Sequence, residues 1–231
     1  MARSIPPGRL ELIIRVASDS FGRLGYRRTR MADVSADAGL SAGAIYTYVE
    51  SKEALFRLVI DDGFGALVPA PDLPVLTPPF EETMRLIASG LKAKGATPLL
   101  RSALLIDAPE DAKSELIAIV SEHYDMVASL SRVLSVIEKC ARDLPELDAF
   151  YFGRRRRRQI DLLVEYVTLR TQGGFFVDFS DAAVTAQIIT ESVAWFAWKR
   201  LESHDAQRFE DAVCRATVVA FVCHALIGST P

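Results

Sequence analysis

Residues 29–52, TRMADVSADAGLSAGAIYTYVESK, constrain the fold of this chain more than any other stretch. Asp33, Val34, Ala36 and Ala38 belong to a short helix with Thr29 at its N-cap. Gly39 ends it, because glycine enters the left-handed conformation that closes a helix at little steric cost. Ser41 caps a second helix that runs through Tyr48, with Ile45 turned inward and Ala42, Gly43, Ala44 and Thr47 left small on the outside. Two short helices joined by a glycine turn, the second with a small polar N-terminal face, form a helix-turn-helix. That shape lays its second helix in a DNA major groove.

The flanking sequence supports the motif. Pro6 and Pro7 suit the first turn of a helix. Leu10, Ile13, Ile14, Ala17, Phe21 and Leu24 then recur at i, i+3, i+4, i+7 spacing, one apolar face, until Gly25 stops it. Downstream, Ser51 caps a further helix with Glu53 in its first turn, where the helix dipole favours an acid. Leu55, Phe56 and Val59 give that helix an apolar face, and Gly63 and Gly65 weaken its end.

Five prolines within residues 69–79 exclude a helix there. The expected domains are therefore residues 1–52, a DNA-binding helix-turn-helix unit; 53–79, a connecting helix and proline-rich linker; and 80–231, a larger helical unit. Beyond the linker, the patterns predict helices over 80–94, 98–106, 109–142, 147–172, 181–201 and 205–227. No segment sustains strand alternation. The fold class is all-α, an N-terminal three-helix helix-turn-helix domain plus a larger helical domain.

Charge is unevenly spread. Residues 1–52 carry eight Lys or Arg against five Asp or Glu, a net +3, and the remainder carries 19 against 25, a net −6. A basic end on an acidic body orients a molecule on a polyanion without making its whole surface adhesive. Cys140, Cys214 and Cys223 are too few and too badly spaced for a disulfide framework, which points to buried thiols in a reducing, cytoplasmic compartment. Cys214 and Cys223 lie on opposite faces of one expected helix and cannot share a metal, so neither metal nor cofactor is expected. The N-terminus lacks a signal-peptide pattern, and no run of about 18 uncharged apolar residues predicts a membrane span.

With the motif placed, a family resemblance is visible. Gly25-Tyr26-Arg27-Arg28-Thr29, Asp33-Val34, the run from Ala38-Gly39-Leu40-Ser41 through Tyr46-Thr47-Tyr48, and Ser51-Lys52-Glu53-Ala54-Leu55 closely resemble the TetR family of bacterial transcriptional regulators. Val49 departs from a common phenylalanine, and Ser35 and Asp37 from commoner alanines, away from the reading face. The resemblance implies a homodimer on a palindromic double-stranded DNA operator. A small-molecule effector in the C-terminal domain would change the spacing of the two heads, most simply in a repressor.

The residues fit that implication. Ala42, Gly43, Ala44 and Thr47 permit close approach, and methyl groups among them match thymine methyls. Thr29, Ser41, Tyr46, Tyr48 and Lys52 suit phosphates, and Arg28 and Arg30 suit the backbone or minor groove. Tyr46 has packing inside the small domain as its alternative role. With no Arg, Asn or Gln on this face, specificity rests on methyl contacts, water and DNA shape.

Ala183, Ala186, Gln187, Thr190, Ala194, Ala197 and Leu201 form one stripe of the penultimate helix, and Val184, Ile188 and Trp195 a second. The last helix, with Ala216, Val218, Val219, Ala220, Phe221, Val222 and Cys223, has little polar surface. A helix apolar on two faces needs two burial partners. The expected four-helix dimer interface uses Ala183, Ala186, Gln187, Thr190, Ala194, Ala197, Ala216, Ala220 and Cys223. The alternative is a central helix pair within a monomer. Met84, Leu104, Tyr124, Met126, Phe150, Tyr151, Arg156, Phe175 and Trp195 are the expected pocket residues, favouring an apolar or aromatic effector of unspecified identity.

Residues 154–158 are five consecutive arginines. On a continuous helix they sweep about 400°, so at least one faces inward. Extending the Ile160, Leu163, Val164, Val167 stripe backward selects Arg156. A buried guanidinium needs a partner, either an acid such as Asp107, Glu110 or Asp143 or an anionic effector group. An enzyme is the contrasting class, but His123, His204 and His224 build no triad. There is no HExxH, phosphate-cradling glycine loop or nucleophile elbow, so no catalytic residue is expected. A ligand-independent architectural DNA-binding protein is the other alternative, marked by a solidly packed C-terminal core.

Overall fold

The computed structural model describes residues 8–67, 71–203, 205–206 and 208–227. The expectations for Pro6, Pro7, Pro69 and His204 lie outside these residues. The chain runs through α1 (Arg9–Leu24), α2 (Met31–Asp37), a 3-10 turn (Ala44–Thr47), α3 (Lys52–Gly63), α4 (Phe80–Lys94) and α5 (Pro98–Ala103). It continues through α6 (Ala112–Ser129), α7 (Ser131–Ala141), α8 (Pro145–Phe150), a π-helical turn (Tyr151–Arg156) and α9 (Arg157–Gln172). The last elements are α10 (Ala182–Ala197), a 3-10 turn (Lys199–Glu202) and α11 (Asp211–Ile227). The fold is all-α. Among the described residues the strand-like pairing is one isolated bridge, Val49 to Val75. No described helix is long and apolar enough to cross a membrane.

Two compact units divide the chain: Met1–Lys94 with Arg132–Tyr151, and Gly95–Ser131 with Phe152–Pro231. In the first, α1 buries Ile13, Ile14, Ala17 and Phe21 against α2 and α3. From α3, Leu55, Phe56, Leu58, Val59 and Ile60 are buried. Each such side chain contributes about 1.5–3 kcal/mol through removal from water. Phe56 meets Phe21 and Tyr26 edge-on, both at 5.4 Å between centroids. Gly25 and Gly39 stop α1 and α2 at φ 85° and 69°, values that side chains disfavour. At the start of α3, Ser51 Oγ accepts from Ala54 N at 3.1 Å.

Helix α7 returns to this unit. A Cβ on Gly63 would lie 2.6 Å from Val133 Cβ, so glycine lets α3 and α7 approach. Asp143, just beyond α7, accepts from Arg27 N at 2.8 Å. The proline-rich segment is anchored here: Glu50 N donates to Val75 O and Val75 N to Tyr48 O, each at 2.9 Å. Thr77 N and Oγ1 add bonds of 2.7 Å to Glu50 Oε2 and Ser51 Oγ.

The second unit packs α5, α6, α9, α10 and α11. Its buried faces include Leu116, Ile119, Val120, Tyr124 and Val127 from α6, and Leu162, Leu163, Tyr166 and Val167 from α9. Asp111 and Asp181 cap α6 and α10 through the backbone N–H groups of Lys113 and Ser114, and of Ala183 and Val184.

The structure corrects several helix bounds. The segment over 109–142 breaks at Leu130 (φ −101°, ψ 4°) into α6 and α7. The segment over 147–172 becomes α8, the π-helical turn and α9. Apolar periodicity conceals these breaks because both halves bury a face. α5 ends at Ala103, and α11 begins only at Asp211.

Candidate nucleic-acid interface

Residues 31–47 present the outer surface of the first unit's helix-turn-helix. Thr29 is not the N-cap of α2. It is buried, and Oγ1 donates to Gly25 O at 2.8 Å, while extended Arg30 occupies the cap position without a side-chain bond. Its hydroxyl is therefore committed to the preceding turn. Ser41 is exposed, and no side chain caps the following element, whose N-cap is Gly43. Ser41 O instead accepts from Ser35 Oγ at 2.6 Å and Ala44 N at 2.9 Å.

The expected second helix is a short 3-10 turn, in which positions three apart eclipse. That period places Ile45 and Tyr48 together on the inner side, 0 % and 5 % exposed. Tyr48 is consequently a core residue, not a phosphate ligand. The same period leaves Gly43 exposed and Tyr46 at 49 % exposure on the outer side. Ala42 and Thr47 are also exposed and Ala44 is half-buried. Thr47 Oγ1 donates back to Ala44 O at 2.7 Å. A Cβ on Gly43 would meet nothing within 4 Å, so this surface is open.

The same unit exposes cations. Arg27, Arg28 and Arg30 are exposed, and Arg28 Nε is steered by Leu24 O at 2.9 Å. Lys52 Nζ sits 4.6 Å over the Tyr26 ring and 3.4 Å from Arg27 O, where burial lowers its pKa. Tyr26 in turn donates to Glu53 at 2.8 Å. Sequence reasoning missed Arg9, whose Nη1 donates to Ala38 O at 2.9 Å and closes the C-terminal end of α2. The unit offers exposed small residues together with exposed cations, suited to close approach to a polyanion.

The nine expected pocket residues are divided. Met84, Phe150 and Tyr151 belong to the first unit, the other six to the second. Tyr151 donates to Glu138 at 3.3 Å. Tyr124 is fully buried, and its hydroxyl reaches Phe196 O at 3.2 Å and Asp211 Oδ1 at 3.0 Å. Burial and that carboxylate raise its pKa. Leu104, Met126 and Phe175 are half-buried, and Trp195 is exposed with its ring against Phe196.

Arg156 donates to Glu191, which also accepts from Gln187 Nε2 at 2.8 Å and Lys199 Nζ at 3.3 Å. Glu191 is an acid partner that the sequence reading did not name. Arg156 lies in a π-helical turn, which interrupts the regular 100° phase from which its inward position was read.

A small cavity of about 10 Å³ lies in the second unit, lined by Thr97, Leu100, Ile119, Val120, His123, Gln159, Leu163 and Ile189. Thr97 and Gln159 bond each other, Nε2 to Oγ1 at 3.0 Å. His123 is buried, and desolvation pushes its pKa down to about 4. Its position on the Leu116, Ile119, Val120, His123, Val127 stripe is the signal that could have placed it inside. A more open depression of about 200 Å³ lies along Val167, Thr171, Phe179 and Thr185.

Of the expected dimer residues, Ala183, Ala216 and Ala220 are exposed, and Gln187 and Ala194 half-buried. Ala186, Thr190, Ala197 and Cys223 are buried inside the unit and do not form an outer face. The small residues let α10 pack closely inward, with Ala186, Ile189, Thr190, Val193 and Ala197 on one stripe. The larger ones remain outside: Val184, Ile188 and Trp195 on α10, and Val213 and Phe221 on α11.

Residues 13–59 match the model of the family described as bacterial regulatory proteins, tetR family. Over 51 residues, 22 % of this chain, the sequence is 39 % identical to YfiR of Bacillus subtilis strain 168, an uncharacterised HTH-type transcriptional regulator. The match spans a quarter of that relative's length, 25 %. PfmR, a TetR-family transcriptional regulator of Thermus thermophilus, has the same fold at TM-score 0.55 and 17 % identity, over 95 % of this chain and 96 % of its own. A tetR-family regulatory protein from Rhodococcus RHA1 matches at TM-score 0.52 and 17 % identity, over 98 % and 100 %. AibR, solved with isovaleryl coenzyme A and operator DNA, matches at TM-score 0.50 and 19 % identity, over 93 % and 97 %.

Proposed function

We propose, for a chain whose residues 13–59 match the TetR family of bacterial regulatory proteins, the role of a ligand-responsive transcriptional repressor acting as a homodimer on a palindromic operator. The observation that carries the DNA-binding part is the outer face of residues 42–47: Ala42, Gly43, Tyr46 and Thr47 are exposed, as are Arg28 and Arg30 of the same unit. Small side chains there admit the edge of a duplex, and the flanking cations neutralise phosphates. Arg28, Arg30, Ser41, Ala42, Gly43, Ala44, Tyr46, Thr47 and Lys52 are the proposed contacts. Domain bounds of 1–52, 53–79 and 80–231 remain the proposed functional division.

The homodimer draws support from Val184, Ile188, Trp195, Val213 and Phe221, large apolar side chains that the folded chain leaves exposed on α10 and α11. Large apolar side chains exposed on two packed helices are what an association site needs, and pairing two copies gives two recognition turns a fixed spacing. AibR, which shares the fold, was solved with an acyl-coenzyme A and operator DNA together, so one chain of this architecture accommodates both kinds of partner. The reading without a ligand draws on one observation, the small volume of the cavity at His123.

Titration of duplex DNA with the full chain, at several salt concentrations, tests the proposal. Affinity is expected to fall steeply as salt rises, and Gly43→Glu to weaken binding more than tenfold by setting a carboxylate against phosphates. The open space at Gly43 means that this substitution leaves the fold intact. Equal binding by the two proteins removes residues 42–47 from the interface.

A further inference from the structure

We propose that the cavity lined by Thr97, His123 and Gln159 is the effector site, and that it takes an electrically neutral, mostly apolar molecule through one hydrogen-bonding group, such as a ketone, ester or amide. The inference rests on the ligand-responsive reading above and adds a place and a chemical class to it.

Four helical segments supply the walls: Leu100 from α5, Ile119 and Val120 from α6, Leu163 from α9 and Ile189 from α10. These aliphatic side chains define the apolar part of the site. The polar part is asymmetric. Thr97 and Gln159 satisfy each other. His123, 8 % exposed, makes no hydrogen bond among the described residues, although its ring faces the cavity. The ring nitrogens of this cavity-lining imidazole are therefore open to a hydrogen-bonding group placed in the cavity.

No lining residue is charged. The imidazole is neutral near pH 7, since burial depresses its pKa. Arg156 is held by Glu191 and does not line the cavity. A carboxylate placed here meets no cation and loses its hydration without return, whereas a carbonyl accepts the imidazole N–H. This replaces the anionic effector that an inward Arg156 implies. At about 10 Å³ the cavity holds no more than a single water. Ligand entry therefore requires the aliphatic walls to part, which makes occupancy a mechanical event in the packing of α5, α6, α9 and α10.

The test uses the full-length chain, with 2-heptanone and heptanoate as matched probes at pH 8. Imidazole nitrogen resonances are recorded by long-range proton–nitrogen spectra, the His123 signals being assigned from their loss in His123→Leu. Heptanone is expected to move the His123 signals, to raise the melting temperature, and to bind at least ~10-fold more tightly than heptanoate, the ratio of about one hydrogen bond. In His123→Leu that preference should shrink. Equal affinity for both probes overturns the neutral class. Heptanone binding without movement of the His123 signals, or no binding of either probe at concentrations on the order of 10 mM, overturns the site. DNA affinity measured in the same titration separates the two readings. A shifted His123 with unchanged DNA affinity upholds the site and removes ligand responsiveness. DNA release with His123 unmoved overturns the site and leaves responsiveness standing.

Discussion

Removing the Glu115 carboxylate should destabilise the second unit far more than its partly exposed position suggests. Its partner, Arg170, is 0 % exposed. Arg170 Nε and Nη2 donate to the two Glu115 oxygens at 2.8 and 3.0 Å, and Tyr166 Oη adds a third bond at 3.0 Å. The other guanidinium bonds, to Ile106 O and Ala103 O at 2.8 Å each, hold the segment after α5 against α9. Glu115→Ala strands a buried cation, for which about 3–5 kcal/mol is the usual cost. Glu115 itself retains 17 % side-chain exposure, so water offsets part of this and the lower end applies, about 3 kcal/mol. For a chain of this length that is a fall of about 6–12 °C in melting temperature. Adding Arg170→Met to Glu115→Ala removes the stranded cation and should recover part of the loss, giving a strong coupling in the double-mutant cycle closed by Arg170→Met alone. Urea unfolding followed by circular dichroism at one fixed protein concentration measures all four forms. A loss below about 1 kcal/mol for Glu115→Ala, or additive effects in the double mutant, refutes the clamp.

Other consequences are as specific. His123 has its pKa pushed down to about 4 from an ordinary 6.5, so the unfolded chain binds more protons between those values. Its contribution to stability is complete above about pH 6.5, declines as pH falls toward 4, and totals about 3 kcal/mol; His123→Met should flatten that part of the stability–pH curve. Ile188→Glu and Phe221→Glu, at sites 55 % and 64 % exposed, should leave the helical signal intact and give monomers in sedimentation analysis; persistent dimers move the interface elsewhere. Gly63→Ala places a Cβ 2.6 Å from Val133 Cβ and should cost about 1–3 kcal/mol through overpacking, relieved by Val133→Ala, as read by thermal melting.

Much of the N-terminal unit was legible because local rules and tertiary packing agree there. The periodic face of α1 is the buried face, Gly25 and Gly39 are the stops, and Ser51 caps α3. Thr29 and Ser41 misled because a cap-forming side chain near a helix start has competing backbone acceptors. Thr29 found Gly25 O, and the turn after Ser41 adopted a 3-10 period that sends Tyr48 inward. In the second unit, two partners from distant segments determine each outcome. Arg156 finds Glu191, 35 positions away, and Arg170 finds Glu115, 55 positions away. Apolar periodicity marks Arg170 as inward, on the Leu163, Tyr166, Val167 stripe, but cannot supply its acid. The stripes of α10 were visible, yet which one faces the core depends on how closely α10 packs its neighbours.

The most direct test of the central claim is selection of random-sequence duplex DNA by the full-length chain, followed by sequencing of what is retained. Paired recognition turns predict enrichment of an inverted repeat, its half-sites centred about 10 base pairs, or a whole number of helical turns, apart. Absence of any enriched sequence, or enrichment of a lone asymmetric site, contradicts the account.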